Sequence, residues 1–164
     1  MKSKRLPPLE TVLALFDYDP EAGVFTHRAG RRAGKVAGEI AASYRRLAIG
    51  GKFYYAHRIA WLVISGEDPL ENQIDHINGD RLDNRSENLR VCTSAQNCRN
   101  SRIRSHNTSG FKGVSRDITR NLWQAGIVVN GKRKTLGRYA TRESAYDAYC
   151  AASKRYHAEF GRVT

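Results

Sequence analysis

Cysteines and long apolar segments are both scarce in this sequence. Its 164 residues include three cysteines, Cys92, Cys98 and Cys150. An odd number with no C-x-x-C pair argues against a disulfide framework and against a cysteine zinc site. No apolar run approaches the length that spans a bilayer, and the basic stretch MKSKRLPPLE lacks the apolar region of a secretion signal. We therefore expect a protein of a reducing, cytosolic setting without membrane contact.

Acidic side chains are also few, and they are unevenly placed. The net charge is +12, from 28 basic and 16 acidic residues. Residues 101–164 carry 13 basic and 4 acidic side chains, whereas residues 71–100 carry 4 and 5. This asymmetry favours a polyanionic partner, with the C-terminal third as its main footprint. Nucleic acid is favoured over a membrane because no strongly amphipathic basic helix appears; a basic surface that only maintains solubility is the alternative.

The first 66 residues alternate between helical and strand-like patterns. Four apolar residues at helical spacing predict a first helix: Leu9, Val12, Leu13 and Phe16. The segment DYDPEAG is typical of a turn and VFTHR of a short strand. YRRLAIGGKFYYAH predicts a hairpin that turns at its two glycines. HRIAWLVISG predicts a helix that ends at Gly66.

Residues 74–97, IDHINGDRLDNRSENLRVCTSAQN, are polar and rich in turn-forming residues. Short apolar pieces flank the turns, so we expect a strand, a loop and a second strand. A short helix follows, with Thr93 or Ser94 as its cap.

The C-terminal segment has its own regular pattern. FKGVSRD predicts a strand, and LWQAGIVV and KRKTLGRY predict a hairpin around Asn130-Gly131. Thr141 is the expected cap of a helix whose small and aromatic residues recur at helical spacing, with Gly161 as its end. The alanine-rich face would let this helix lie close to a three-stranded sheet.

The pair Asp75-His76 carries the residue types of a hydrolytic site. A carboxylate oxygen suits Mg²⁺ or Mn²⁺, and a neutral His can accept a proton from water near pH 7. Asn97, on the short helix, offers a second oxygen donor. Adjacent residues point to opposite faces of a strand, although a bend could bring both to one site. These residue types alone leave a structural role for His76 open, since a lone His in a turn-rich segment is usually structural.

The segment DHINGDRLDNRSENLRVCTSAQN resembles the HNH endonucleases, in the zinc-free phage and homing branch. The matching residues are His76, Asn88 and Asn97, and the pieces DN and ENLR within the segment are also similar to that family. The upstream segments LFDYDPEAGVFTHR and AHRIAWLVISGEDP extend the similarity over roughly residues 9–100. The last His of the family name is replaced here by Asn97.

This resemblance implies a ββα-metal fold and a metal-dependent hydrolysis of phosphodiesters. It implies that His76 is the general base and that Asp75 and Asn97 bind a single divalent ion, Mg²⁺ or Mn²⁺. Asn88 would brace the loop that positions His76. We interpret His57 as a packing or DNA-backbone residue rather than a ligand.

Residues 109–161 resemble the APETALA/ethylene-response-factor DNA-binding domain. The matching pieces are KGV, WQAGI, LGRY, TRESAYDAY and AASKRYHAEFG. That family inserts a three-stranded sheet, backed by one helix, into the DNA major groove. Ser115, Gly126 and Thr135 depart from the plant pattern, so its target sequence is not carried over.

Seven residues of this module are candidate DNA contacts. Trp123, Ala125 and Ile127 would pack on the helix, which leaves the alternate residues of that strand outward. The candidates are Lys112, Arg116, Gln124, Lys132, Arg133, Lys134 and Arg138. Those beside the turn suit phosphate contacts rather than base readout.

The sequence thus predicts an α+β protein. A nuclease domain at 1–103 would comprise a helix and hairpin part (1–56) and a ββα-metal core (57–103). A linker (104–108) and a DNA-binding domain (109–164), a three-stranded antiparallel sheet packed on one helix, would follow. We expect a monomeric DNA endonuclease acting on double-stranded DNA in the cytoplasm of a bacterial host, encoded by a phage or mobile element, with no small-molecule substrate. A non-catalytic DNA-binding regulator with a remnant nuclease domain, and RNA as the substrate, are the alternatives.

Overall fold

The computed structural model describes residues 5–101, 103 and 105–161, and the chain divides into two units, 1–94 and 95–164. The division therefore falls ahead of the predicted linker. Part of that linker, Arg104, lies outside the described residues, and the predicted domain boundary stays a prediction.

Short strands and two helices make up the first unit. In chain order they are α1 (Leu9–Leu15), β1 (Phe16–Asp19), β2 (Val24–His27), β3 (Glu39–Ala41), β4 (Tyr44–Ile49), β5 (Lys52–Tyr55), α2 (Ala56–Ser65), β6 (Gln73–His76) and β7 (Leu89–Cys92). The strands form three antiparallel sheets, β1-β2, β3-β4-β5 and β6-β7. Single 3-10 turns occupy Gly30–Arg32 and Ser86–Asn88. The mixture of helices and antiparallel strands expected of an α+β protein is confirmed.

The core of this unit lies between α2 and the inner faces of the sheets. Leu47 and Ile49 alternate with exposed or half-buried residues along β4, so one face of that strand is buried. Ile59 and Leu62 of α2 meet them in a single cluster. Gly66 ends α2 in the left-handed conformation, and its N–H donates to the carbonyl of Leu62 at 2.9 Å. The predicted end of this helix is confirmed.

The start of the chain differs from its prediction. Helix α1 ends at Leu15, and Phe16 opens strand β1, so the predicted turn DYDPEAG begins as a strand. The reason is cross-strand pairing, because the Tyr18 ring packs 4.7 Å from the Phe25 ring on the paired strand. The short strand β3 was also not predicted.

The second unit contains a three-stranded sheet and a long helix. Its elements are α3 (Ser94–Asn100), which begins at the unit boundary, β8 (Val114–Asp117), β9 (Leu122–Val129), β10 (Lys132–Tyr139) and α4 (Arg142–His157). The antiparallel order is β10-β9-β8. Asn130 and Gly131 turn the hairpin, both at positive φ. Thr141 caps α4, and its Oγ1 accepts the N–H of Ser144 at 3.1 Å.

Helix α4 covers one face of this sheet. Ala125 and Ile127 of β9 are buried there, against Ala145 and Tyr149 of the helix. The helix approaches so closely that a Cβ on Gly113 would meet the Tyr149 ring at 2.1 Å.

Two boundaries in the second unit differ from the prediction. The first strand begins at Val114 rather than at Phe111, and α4 ends at His157, before a 3-10 turn (Ala158–Phe160) that precedes Gly161. Among the helices of the described residues, none is long and apolar enough to cross a membrane.

Candidate active site

His76 is the last residue of β6 and is buried in the first unit. The register pairs it with Leu89 and pairs its neighbour Asp75 with Arg90. Neighbouring residues of a strand point to opposite faces. The two side chains therefore leave the strand on opposite faces, although the Asp75 carboxylate still lies close enough to oppose the lowering of the His76 pKa.

A buried amide orients the His76 ring. The Nε2 atom of His76 lies 3.1 Å from Oδ1 of Asn84, and Nδ2 of Asn84 donates to the carbonyl of Leu82 at 3.3 Å. An amide oxygen can only accept, so Nε2 carries the proton and Nδ1 carries the lone pair. The bond thus selects the tautomer in which Nδ1 is the basic atom.

Asn88 joins the two ends of the loop between β6 and β7. Its Oδ1 accepts the N–H of Asn78 at 3.0 Å, and its Nδ2 donates to the carbonyl of Asp83 at 2.7 Å. One side chain therefore ties both sides of the loop that carries Asn84. This geometry supports the bracing role expected for Asn88.

The β1-β2 hairpin holds the same loop from the other side. The Tyr18 hydroxyl donates to the carbonyl of Asn84 at 2.7 Å, and the N–H of Ser86 donates to the carbonyl of Pro20 at 2.9 Å. Gly23, at φ +68°, lies so close that a Cβ there would meet the backbone nitrogen of Arg85 at 2.4 Å. The N-terminal hairpin is therefore part of what positions Asn84.

Aromatic rings from β4, β5 and α2 surround the imidazole of His76. The His57 ring stands edge-on to it, with centroids 5.1 Å apart, and the Tyr44 ring lies 6.3 Å away. Tyr55 stacks on His57 at 5.4 Å. The guanidinium of Arg81 lies 4.9 Å from the centre of the Tyr44 ring. These five side chains form the aromatic cluster of the site.

Burial keeps both imidazoles uncharged near pH 7. It lowers the pKa of His57 to about 3, with a further lowering by His76. Burial also lowers the pKa of His76, although the bond to Asn84 and the nearby carboxylate of Asp75 act in the opposite direction. A neutral imidazole is the form that can accept a proton.

Asp75 is half of a buried ion pair across the hairpin. Its Oδ2 accepts bonds from Nε and Nη2 of Arg90 at 3.0 and 2.8 Å. This charge-assisted pair joins the two strands of the hairpin. Its predicted role as a metal ligand stays a prediction.

Asn97 lies half-buried on α3, in the second unit. Its predicted partnership with Asp75 therefore stays a prediction. In the part of the chain that the structure describes, no group of three or more His, Cys, Asp or Glu side chains could hold a metal ion. Carboxylate and carboxamide oxygens fit a hard cation, and Mg²⁺ commonly keeps several waters beside one or two protein ligands.

The loop carboxylates have structural partners. Asp80 accepts the N–H of Leu82 at 3.0 Å. Hydrogen bonds from Arg85, together with one from Asn78, lower the pKa of Asp83 to about 2. Both carboxylates therefore help to hold the loop between β6 and β7.

The cysteines carry no bridge. All three are free thiols, Cys92 buried and Cys98 exposed, and burial raises the pKa of Cys92 to about 11. Such a thiol is not a reactive nucleophile.

Three candidate DNA contacts lie on the outer face of the second unit's sheet. Gln124 pairs with Arg138, and Arg133 pairs with the exposed Val128. Their side chains therefore point away from α4. Arg138 also forms an ion pair with Asp117 at 2.7 Å.

The other candidates have different surroundings. Arg116 is in register with Trp123, on the helix-covered face, and its guanidinium lies 4.9 Å from that ring. Lys134 donates to the Tyr156 hydroxyl at 2.9 Å. Lys112 donates to the carbonyls of residues 99 and 101 at 2.5 and 2.9 Å. Lys132 is exposed beside the hairpin turn.

Sequence reasoning gave too little weight to four residues of the site. Asn84 was noted only as part of a family motif, and His57 was interpreted as a packing or DNA-backbone residue. Tyr44 and Arg81 were not singled out. The available signal was the presence of two histidines and three tyrosines within residues 44–76.

Comparisons with known proteins agree with this picture. Residues 54–99 match the family described as HNH endonuclease. The chain is 33% identical over 110 residues to an uncharacterized HNH endonuclease of Acanthamoeba polyphaga mimivirus, which covers 67% of this chain and 56% of that protein. It is 34% identical over 85 residues to Protein 3.8 of Escherichia phage T7, which covers 50% of this chain and 70% of that protein.

The chain thus spans little more than half the length of the mimivirus relative. No solved structure matches it. The family match contains the hairpin with His76, Asn84 and Asn88, and it also reaches Asn97. These matches support an HNH endonuclease domain that contains residues 54–99 of this chain.

Proposed function

We propose that this protein is a metal-dependent endonuclease that hydrolyses phosphodiester bonds in DNA. The observation that carries the proposal is the orientation of His76, whose Nε2 is bonded to Asn84 while Nδ1 holds the lone pair. The family match over residues 54–99 supports the same reaction class.

His76 acts as the general base. Its neutral ring takes a proton from a water molecule, and the water oxygen attacks the phosphorus as the bond to the leaving oxygen breaks. A lowered pKa keeps the ring unprotonated at neutral pH. Asn84 and Asn88 act as positioning residues, because they hold the ring and its loop.

Asp75 and Asn97 would hold one divalent ion, Mg²⁺ or Mn²⁺. When bound, such an ion neutralises charge on the phosphate and on the leaving oxygen. The ion pair with Arg90 fixes the position of the Asp75 side chain across the hairpin.

The second unit would hold double-stranded DNA through the outer face of its sheet. Support comes from the 13 basic residues of positions 101–164 and from the outward direction of Arg133 and Arg138. The resemblance to the APETALA/ethylene-response-factor domain supports the same role. We propose that the protein works as a monomer in the cytoplasm of a bacterial host, and that it originates from a phage or mobile element.

Plasmid cleavage by the full chain tests this function. Wild type, His76→Ala and the control His106→Ala, an exposed histidine of the second unit, are assayed with Mg²⁺, Mn²⁺ or EDTA. We expect cleavage by wild type and control with a divalent ion, and a loss of about 100-fold or more in His76→Ala. Full activity of His76→Ala would exclude it as the base. Sequence-specific binding without cleavage in either metal would support the regulator alternative.

A further inference from the structure

We propose that the outer face of the β3-β4-β5 sheet binds unpaired nucleotides of the DNA strand next to the cleaved bond. This inference rests on the proposed nuclease function and names the form of substrate that its site accepts. Neither the family resemblances nor the basic C-terminal third places a nucleic-acid contact on this sheet.

The charge of this part of the chain points to a polyanion. Residues 24–55 carry seven Lys or Arg and one Glu, a net charge of +6. Between the described residues, no ion pair includes Arg32, Lys35 or Arg81. These cations are therefore available to phosphates, whereas the second unit's Arg138 is already paired with an acid.

The sheet exposes aromatic rings where a soluble protein usually exposes polar side chains. Its inner face is buried through Leu47 and Ile49. On its outer face, the register aligns Phe53 with Ala48 and Tyr55 with Arg46. Phe53 is 49% exposed and Tyr55 is 44% exposed. Exposed aromatics beside cations are the usual platform for single-stranded nucleic acid.

The spacing of the two rings favours an extended strand. Residues two apart on one face of a strand are separated by about 6.7 Å. Nucleotides in each strand of a duplex advance by about 3.4 Å along the axis. Neighbouring bases can therefore meet Phe53 and Tyr55 only when they are unstacked. Paired bases also hide their faces from the protein.

Cations lie at the Phe53 end of this platform. The Arg46 guanidinium lies 4.5 Å from the centre of the Phe53 ring and forms an ion pair with Glu39 at 2.5 Å. A groove of about 480 Å³ extends beyond Phe53. Phe16 and Val36 are among its apolar lining residues, and Arg32 and Lys35 are among its charged ones. A nucleoside could enter this groove while its phosphates meet the two free cations.

The other end of the platform leads to His76. Tyr55 lies 5.1 Å from Tyr44 and 5.4 Å from His57, and both of these contact the His76 ring. Arg81, held over Tyr44, would meet the phosphates closest to the reaction. The face therefore forms one path, from the groove past Phe53 and Tyr55 to the general base.

Binding in EDTA tests this proposal separately from cleavage. A fluorescent single-stranded oligodeoxynucleotide with one 5-iodouracil is titrated with the full chain and then crosslinked by light, and the crosslinked peptide is mapped by mass spectrometry. We expect a crosslink at Phe53 or Tyr55. We also expect affinity to fall about tenfold in Phe53→Ala, and to be retained in Phe53→Trp.

The matched control is Ile40→Ala, which removes an apolar side chain that is 58% exposed and points to the opposite face of the same sheet. It should bind as tightly as wild type. A fully paired duplex should compete poorly for the part of the binding that depends on Phe53, whereas a duplex with a short gap should compete well.

Four results would overturn the proposal. Three of these are equal affinities for Phe53→Ala and Ile40→Ala, crosslinks confined to the second unit, and equal competition by paired and gapped duplexes. The fourth is a dimeric wild type and a monomeric Phe53→Ala with equal oligonucleotide affinities, because the face would then join two copies. Binding through Phe53 without cleavage in Mg²⁺ would refute the nuclease function and leave this surface supported.

Discussion

The amide oxygen of Asn84 lies 3.1 Å from Nε2 of His76, and Asn84 is only 1% exposed. A buried hydrogen bond of this kind fixes both the direction and the tautomer of an imidazole. The proposed base His76 therefore has a fixed ring orientation before any substrate arrives.

Replacing Asn84 should impair catalysis more than binding. In Asn84→Ala the Nε2 proton loses its acceptor, so the ring can rotate and change tautomer. We expect kcat to fall about 10- to 100-fold with little change in KM. Asn84→Asp, which keeps an acceptor oxygen, should retain more activity than Asn84→Ala. The exposed Asn72→Ala is the control, and equal kcat values for all three variants would contradict the positioning role.

Replacing Gly23 by alanine should destabilise the protein through a steric clash, in addition to the strain of a positive φ. A Cβ at Gly23 would meet the backbone of Arg85 at 2.4 Å, whereas Gly34 has a similar positive φ and no atom within 4 Å of such a Cβ. Both Gly→Ala variants carry the strain of positive φ, about 1 kcal/mol. Only Gly23→Ala should also displace the loop with Asn84.

We therefore expect Gly23→Ala to lower the free energy of unfolding by at least about 1 kcal/mol more than Gly34→Ala, and to lower kcat as well. Urea unfolding can be followed through Trp61, in a Trp123→Phe background that silences the second unit. Equal losses in the two variants would mean that the close contact has no energetic role.

His57 should make the first unit sensitive to acid. Its pKa is about 3 in the folded protein and about 6.5 when unfolded. Between these values the unfolded chain binds a proton that the folded chain does not. Stability should therefore fall as the pH drops below about 6.5, by up to about 1.4 kcal/mol per pH unit from this group.

The variant His57→Phe keeps a ring between Tyr55 and Tyr44 and removes the titration. Its unfolding free energy should fall less than that of wild type between pH 7 and pH 4.5. It should lose little stability at pH 7, because Nδ1 of His57 is buried without a hydrogen-bond partner among the described residues. The exposed His106→Phe should keep the wild-type pH profile, and an unchanged profile in His57→Phe would contradict the assignment.

The outer face of the second sheet should contribute to the salt dependence of DNA binding. Arg133 points away from α4, whereas Lys154 is an exposed cation on that helix. Removing one cation that neutralises a phosphate reduces the slope of log K against log salt by about 1. Arg133→Ala should show this reduction on duplex DNA and Lys154→Ala should not. Equal slopes in the two variants would remove Arg133 from the DNA surface.

Much of the second unit could be predicted because its strands, its hairpin turn and its helix cap depend on residues that are close in sequence. The alternation of Trp123, Ala125 and Ile127 indicates which face of β9 is buried, and Asn130-Gly131 allows the positive φ that the hairpin turn requires. Thr141 caps α4 through a bond only three residues away. Such features depend on neighbours in sequence, so a sequence pattern can show them.

The strand boundaries in the first unit depended on distant partners. Phe16 continued the helical spacing of α1, yet it belongs to β1 because it pairs with His27. The residues next to Phe16 in sequence do not indicate that it pairs with His27. The spacing of the apolar residues therefore placed Phe16 in the helix, which was wrong.

The sequence by itself determined the residue types of the candidate site and the hairpin that carries Asp75, His76 and Asn88. Only the tertiary structure decided what surrounds them. Asn84 is held by Tyr18, 66 positions earlier, and the His76 ring meets His57 from a different element. Burial then lowers the pKa of both imidazoles. Orientation and desolvation depend on neighbours that only the folded chain brings together. The sequence could therefore propose His76 as the general base, but it could not show the tautomer or the surroundings of that ring.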